Sequence, residues 1–192
     1  KRKNAGRKPK GSRAGTPHTR RPAAPHYLPH HVTVRFSAGL PTLRQELLVN
    51  GIRRALEKGK ERFGLRVVHY SIQHDHLHCV VQASDRRALS RGMRGLDIRM
   101  ARAVNRALGR KGRVIGDRYH ARALRTPRDV RNVLAYVLLN WRHHARGACE
   151  GWDLASSAAV FDGWSEGDPT DVVPKATLDE IAKTRVPPER CW

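Results

Sequence analysis

Only three of the 192 residues are cysteine, Cys79, Cys149 and Cys191, and no two of them form a CxxC pair. That spacing argues against a disulfide framework and against a cysteine zinc site, and it suits a reducing cytosol. Acids are scarce too: 17 Asp and Glu stand against 38 Lys and Arg, a formal charge of +21. Such an excess points to an anionic polymer, nucleic acid first, and leaves the fold open. Non-catalytic nucleic-acid-binding modules with an open sheet usually display aromatics there, whereas the strands of this chain show His and Arg. The longest apolar run, "VLAYVLL" at 133–139, is far shorter than the ~20 residues a membrane-crossing helix needs. The basic start lacks the apolar core of a secretory signal, so no membrane role is expected.

The charge is unevenly placed. Residues 1–25 hold nine Lys or Arg and no acid, residues 26–149 carry net +17, and residues 150–192 carry net −5. Three regions follow: a disordered basic arm over 1–26, a basic globular domain over 27–146, and an acidic, Trp-containing tail over 147–192. The arm, rich in Lys, Arg, Gly and Pro, cannot bury apolar surface. In the tail, Phe161 and Trp164 are the residues expected to anchor it on the domain.

From His30 the pattern becomes regular. In "HHVTVRF", Val32, Val34 and Phe36 share one strand face and His31, Thr33 and Arg35 the other. Thr42 is a candidate cap for a helix reaching about Phe63, with Gly64 ending it. "LRVVHYSIQ" and "HLHCVVQA" read as a strand hairpin. A second long helix is expected from about Asp85 to Arg110, apolar at Leu89, Met93, Leu96 and Met100, with Arg91, Arg94, Arg99, Arg102 and Arg106 on its far side. That basic stripe is read as a phosphate-binding ridge. Val114–Arg125 suggests a fourth strand, and Thr126-Pro127 with Asp129 opens a third helix. The order predicts an α+β fold: a ferredoxin-like split βαβ antiparallel sheet with two helices on one face and an extra C-terminal helix.

The chemistry-bearing positions lie in the third strand and the last helix. His76 and His78, two residues apart in "HDHLHCVV", project from one sheet face about 7 Å apart along the strand, a spacing suited to one metal ion. On the third helix, at 100° per residue, Asp129, Asn132, Tyr136, Asn140 and His143 form one stripe. Val130, Val133, Leu134, Val137, Leu138 and Trp141 form the apolar side.

"HLH" at 76–78 and "AYVLLN" at 135–140, in this order, resemble the motifs of the HUH single-tyrosine transposases, most closely the REP-associated tyrosine transposases. "ALSRGMRGL" and "DRYHARALRTPRDVRNVL" resemble the regions between, and the likeness spans roughly 27–164. It implies a metal-dependent enzyme that nicks and rejoins single-stranded DNA at hairpin-forming repeats, working as a monomer or homodimer in a bacterial cytoplasm close to the nucleoid. Tyr136 would be the nucleophile, and His76, His78 and Asn140 would hold Mg²⁺ or Mn²⁺. Arg35, Arg91, Arg94, Arg118, His120 and Arg122 are the expected DNA contacts, while Tyr119 is read as packing. The family's usual Pro-Asn is His74-Asp75 here, which sets His74 beside the pair as a competing ligand. The other reading of the same charge and fold is a non-catalytic nucleic-acid-binding protein, for which Tyr136 would be dispensable.

Overall fold

The computed structural model describes residues 28–144 (the last four by backbone only), 151–164, 169 and 172–186. The basic arm over 1–26, the side chains of Trp141 and His143, and Cys149, Cys191 and Trp192 lie outside the described residues. In chain order the elements are β1 (His30–Arg35), α1 (Glu46–Gly59), β2 (Glu61–Arg62), β3 (Leu65–Ile72), β4 (His76–Ala83), α2 (Arg86–Ala107), β5 (His120–Ala123), α3 (Pro127–His144) and α4 (Lys175–Lys183). The strands form one antiparallel sheet in the order β2-β3-β4-β1-β5. Without the two-residue β2, this is the split βαβ arrangement expected from the sequence.

The alternation of β1 and β4 sorts their side chains cleanly. Val32, Val34, Leu77, Cys79 and Val81 enter a core closed by Leu48, Ile52 and Leu56 of α1 and Met93, Leu96 and Met100 of α2. Each fully buried aliphatic side chain there contributes about 1.5–3 kcal/mol. In β3 the pairing slips between Val67 and His69. This one-residue irregularity exchanges the faces: Leu65 and Val67 point into the core before it, Tyr70 and Ile72 after it. His69 and Ser71 are thereby moved to the other face, opposite Val80 and His78 respectively.

Three sequence expectations are corrected. The first helix begins at Glu46, and Thr42 does not cap it; the Leu43 amide donates to the His74 carbonyl at 2.9 Å and its side chain is wholly buried, which commits this segment to the loop over the hairpin. The helix ends at Gly59, before Gly64. Phe63 and Gly64 both have positive φ, 58° and 74°, and turn β2 into β3. Two positive φ angles in a two-residue turn match the twist of a hairpin, and Phe is a rare choice there; the Arg91 guanidinium covers its ring at 5.1 Å from the centroid. The fourth strand is interrupted: Ile115 only bridges Phe36, and the regular ladder starts at His120.

The second face of the sheet is not bare. α3 lies on it through Val133 and Val137, which meet Val80 and Leu124 in a small separate cluster. The acidic segment after 150 lines the outer edge of β3, where Ile72 donates to Ala155, Ser157 to Tyr70 and Val186 to Val67. An exposed strand edge is thus covered. Asp153, its carboxylate fully buried, fixes this segment by an ion pair with Arg44 at 2.6 Å. Phe161 packs edge-on against His69 and Trp164 against Phe161. The helix α4, absent from the sequence reading, brings Ile181 into a buried position.

Gly92 of α2 sits so close to the sheet that a methyl in its place would lie 2.3 Å from the Leu65 Cβ. Gly92→Ala, worth about 1 kcal/mol of stabilisation by helix propensity alone, should instead destabilise by about 1–3 kcal/mol through overpacking. A urea midpoint equal to or above wild type would contradict this helix–sheet spacing.

Candidate active site

Strand register alone assembles most of the site. Across the face that α3 partly covers, Ser71, His78, Thr33 and His120 lie in one row on four neighbouring strands. Val80, His31 and Arg122 form the next row, and Arg35 stands directly opposite His76 on the other side. The hairpin carrying the histidines is tied down at its turn. The His74 carbonyl accepts from Leu43 N and the Asp75 carbonyl from Phe36 N, at 2.9 and 2.8 Å.

His76 Nε2 and His78 Nε2 face one another at 3.0 Å. On the far side of its ring, His76 Nδ1 lies 2.6 Å from Asp75 Oδ1. That bond, with His76 and Arg35 nearby, holds the Asp75 carboxyl below the usual carboxylate range. An ionised carboxylate only accepts, so His76 Nδ1 carries a proton, and in the neutral ring it is Nε2 that has the lone pair facing His78. His78 Nδ1 is held at 3.2 Å from Thr33 Oγ1 and 3.1 Å from His31 Nε2. Both imidazoles are thus gripped from behind with their Nε2 atoms converging, the outer support expected of metal-binding histidines.

α3 adds the phenol. Tyr136 is 44% exposed, and its hydroxyl lies 3.5 Å from His78 Nε2. Its ring meets His78 and His31 edge-on at centroid distances of 5.1 and 5.9 Å. The helix starts where the sequence indicates: Asp129 N donates to Thr126 Oγ1 at 3.0 Å. Four residues after Tyr136, Asn140 is 1% exposed, and its Nδ2 has no hydrogen-bond partner among the described residues. A buried donor without a partner is costly; a cation would take the oxygen of this amide and not the nitrogen, and Asn140 stands one turn beyond the phenol on α3. Among the described residues no three His, Cys, Asp or Glu side chains come together as a metal cluster. A cation bound here would therefore complete its shell with an amide, water or phosphate oxygens, as Mg²⁺ and Mn²⁺ do.

The remaining candidates divide. Arg35, His120 and Arg122 are exposed on the same face as the histidine pair, and Arg118 lies two residues before the start of β5. Arg91 and Arg94 belong to α2, in the layer on the opposite face of the sheet, so the structure does not bring them to this site. His74 turns outward, with Nδ1 3.0 Å from Thr42 Oγ1, and does not join the pair. Tyr119 is buried in the core. His31 is the participant that the sequence reading left unassigned. Its signal was present, since it shares a strand face with Thr33, but the 47-residue separation from His78 hides the contact. Burial, then the nearby Arg122 and His120, push the His31 imidazole down to about 4.

The family model described as "Transposase IS200 like" matches residues 27–138. Among solved structures, the chain is similar to a REP-associated tyrosine transposase bound to a REP hairpin. The TM-score is 0.53 and the identity 18%, over 68% of this chain and 75% of that one. It is similar also to a candidate transposase from Deinococcus radiodurans R1, with a TM-score of 0.44 and 15% identity over 68% of this chain and all of the other. Comparison with curated proteins returns no match. At these identities the solved structures speak to the fold alone.

A second buried imidazole, His69, is pushed down to about 3, first by burial and then by Arg185. Below pH 6.5 the unfolded chain binds protons that these folded rings refuse until about pH 4 and 3, so stability should fall as pH drops through that window. Urea midpoints at pH 7 and pH 5 should show the fall, and His69→Gln should make it shallower; an unchanged pH dependence in that variant would contradict the assignment.

Proposed function

Because the chain belongs to the IS200-like transposases, single-tyrosine enzymes of the HUH class, we propose that it cuts and rejoins single-stranded DNA through Tyr136 with the help of one divalent cation. The observation that carries this reading is the convergence of three groups. The Tyr136 hydroxyl stands 3.5 Å from His78 Nε2, which itself stands 3.0 Å from His76 Nε2.

His76, His78 and Asn140 would hold Mg²⁺ or Mn²⁺. When bound, the cation polarises a phosphate oxygen and offsets the charge that develops as the phosphorus is attacked. The Tyr136 oxygen forms the new bond to phosphorus as the bond to the 3′ oxygen breaks, leaving a 5′-phosphotyrosine and a free 3′-hydroxyl. The exposed phenol gives its proton to water, and the departing 3′ oxygen takes one up. The phosphotyrosine keeps the phosphodiester's energy, so a second 3′-hydroxyl can reverse the step without ATP. Asp75 and Thr33 act behind the histidines by fixing ring orientation.

The shallow face favours a flexible strand over a stacked duplex. Arg35, Arg118, His120 and Arg122 surround it and would hold phosphates, contributing affinity more than sequence preference. The substrate is a strand beside a hairpin-forming repeat, a proposal supported by the family and by the hairpin bound to a similarly folded transposase.

Labelled hairpin-containing DNA incubated with protein and Mn²⁺ should yield a covalent adduct on a denaturing gel. Tyr136→Phe should reduce it to background, and so should chelation of the metal; a non-catalytic binding protein predicts no adduct in any variant. Asp75→Ala should weaken Mn²⁺ affinity about tenfold, whereas Asp75→Asn, which can still accept from His76 Nδ1, should retain most of it. Calorimetry with Mn²⁺ decides, and equal affinities for wild type and Asp75→Ala would remove Asp75 from the site.

A further inference from the structure

The basic stripe of α2 lies behind the sheet and takes no part in the reacting face. Its residues Arg102 and Arg106 are exposed and stand across a groove from Arg54 and Lys58 of α1, exposed likewise. The groove encloses about 550 Å³ between the two helices, and no acid is among its lining residues. In each helix the two cations are four residues apart and so share a face, a like-charge pairing that destabilises a helix. Among the described residues none of the four forms an ion pair. On the other flank of α1, where α4 lies, Glu57 and Glu180 stand among the cations. The groove towards α2 has no such counter-charge.

Between the two cationic rows the floor is apolar and built of small residues. Gly51 and Ala55 of α1 face Ala103 and Ala107 of α2 across it, and a methyl in place of Gly51 would lie 3.7 Å from the Ala103 Cβ, an ordinary contact. Leu47, 59% exposed, extends the apolar line by one turn of α1. A phosphate backbone would answer the cations and leave this floor unused, since charged oxygens gain nothing from apolar surface. A helix with an apolar stripe flanked on both sides by acids matches all three parts at once, the floor and the two walls.

We infer that the α1–α2 groove docks an acidic amphipathic helix of a partner protein, its apolar side chains set against Gly51, Ala55, Ala103 and Ala107 and its carboxylates paired with the cations on either side. The two helices cover the face of the sheet opposite α3. A docked partner therefore leaves Tyr136 and the histidine pair open, and the inference stands apart from the DNA chemistry proposed above.

The probe is a labelled peptide of about four helical turns with Leu on one face and Glu on both flanks. Fluorescence anisotropy compares it with a shuffled peptide of the same composition, which has the same charge and no apolar face. Wild type should bind the amphipathic peptide about tenfold more tightly, and Arg54→Ala and Arg102→Ala should each weaken that binding. Gly51→Leu, which fills the floor and alters no charge, should bring the ratio close to one while leaving affinity for the shuffled peptide unchanged. Because the new leucine also touches α2, a second measurement uses the unaltered protein. Carbodiimide coupling, mapped by mass spectrometry, should join Lys58 to a glutamate of the amphipathic peptide and not to the shuffled one. Equal affinity for the two peptides, a tenfold ratio that survives Gly51→Leu, or coupling that misses Lys58 would each overturn the proposal. The first of these, with binding that falls steeply as salt rises, would leave the stripe a general surface for polyanions such as duplex DNA.

Discussion

The contact of Val133 and Val137 with Val80 and Leu124 is small, yet the place of the phenol depends on it. It is separate from the main core, so the sheet and its two covering helices can be complete without it. What it does is fix the rotation and height of α3 over β4. With that seam in place, the next residue along the helix face, Tyr136, meets His78. Val80 and His78 are neighbours on the same face of one strand, so the residue that docks the helix and the residue that receives the phenol are two positions apart. A shift of α3 by one residue would turn the phenol by about 100°. The place of the phenol is therefore set in part by these four aliphatic side chains.

The second constraint is register. His78, Thr33 and His120 are neighbours because three strands pair in one phase, and His69 and Ser71 reach that face only through the irregularity at Val68. The same pairing places Arg35 beside His76 and Arg122 beside His31. Support for the two imidazoles comes from local sequence in one case, Asp75 next to His76, and from a neighbouring strand in the other. The two histidines of the motif thus differ in how they are held, and a change at Thr33 would reach His78 while leaving the Asp75 support of His76 in place.

Much of this was legible in the sequence. The period-two alternation of "HHVTVRF" and "HLHCVVQA" gives both strand faces correctly, and the bounds of β4 agree to the residue. Thr126, Pro127 and Asp129 mark the start of α3, and the Tyr136–Asn140 spacing puts both on one side of it. The errors lie where long-range contacts override local signals. Thr42 looks like a cap, but the burial of Leu43 and its bond to the His74 carbonyl hold that stretch in a loop. Gly64 reads as a helix end, yet it serves a hairpin whose other turn residue, Phe63, carries none of the usual signals. Arg91 and Arg94 share the positive charge of the domain but stand behind the sheet, because charge in a sequence has no direction until the layers are known. His31 belongs to the site through partners 47 and 105 residues away, and α4 is held by a strand edge that only the folded sheet creates.

The central claim is that a divalent cation sits between His76 and His78 beside Tyr136. Anomalous diffraction from crystals of the protein grown with Mn²⁺ addresses it directly. The account predicts a manganese peak bonded to both Nε2 atoms and to the Asn140 side-chain oxygen. A fully occupied peak elsewhere, or none between the two rings at saturating Mn²⁺, would contradict it.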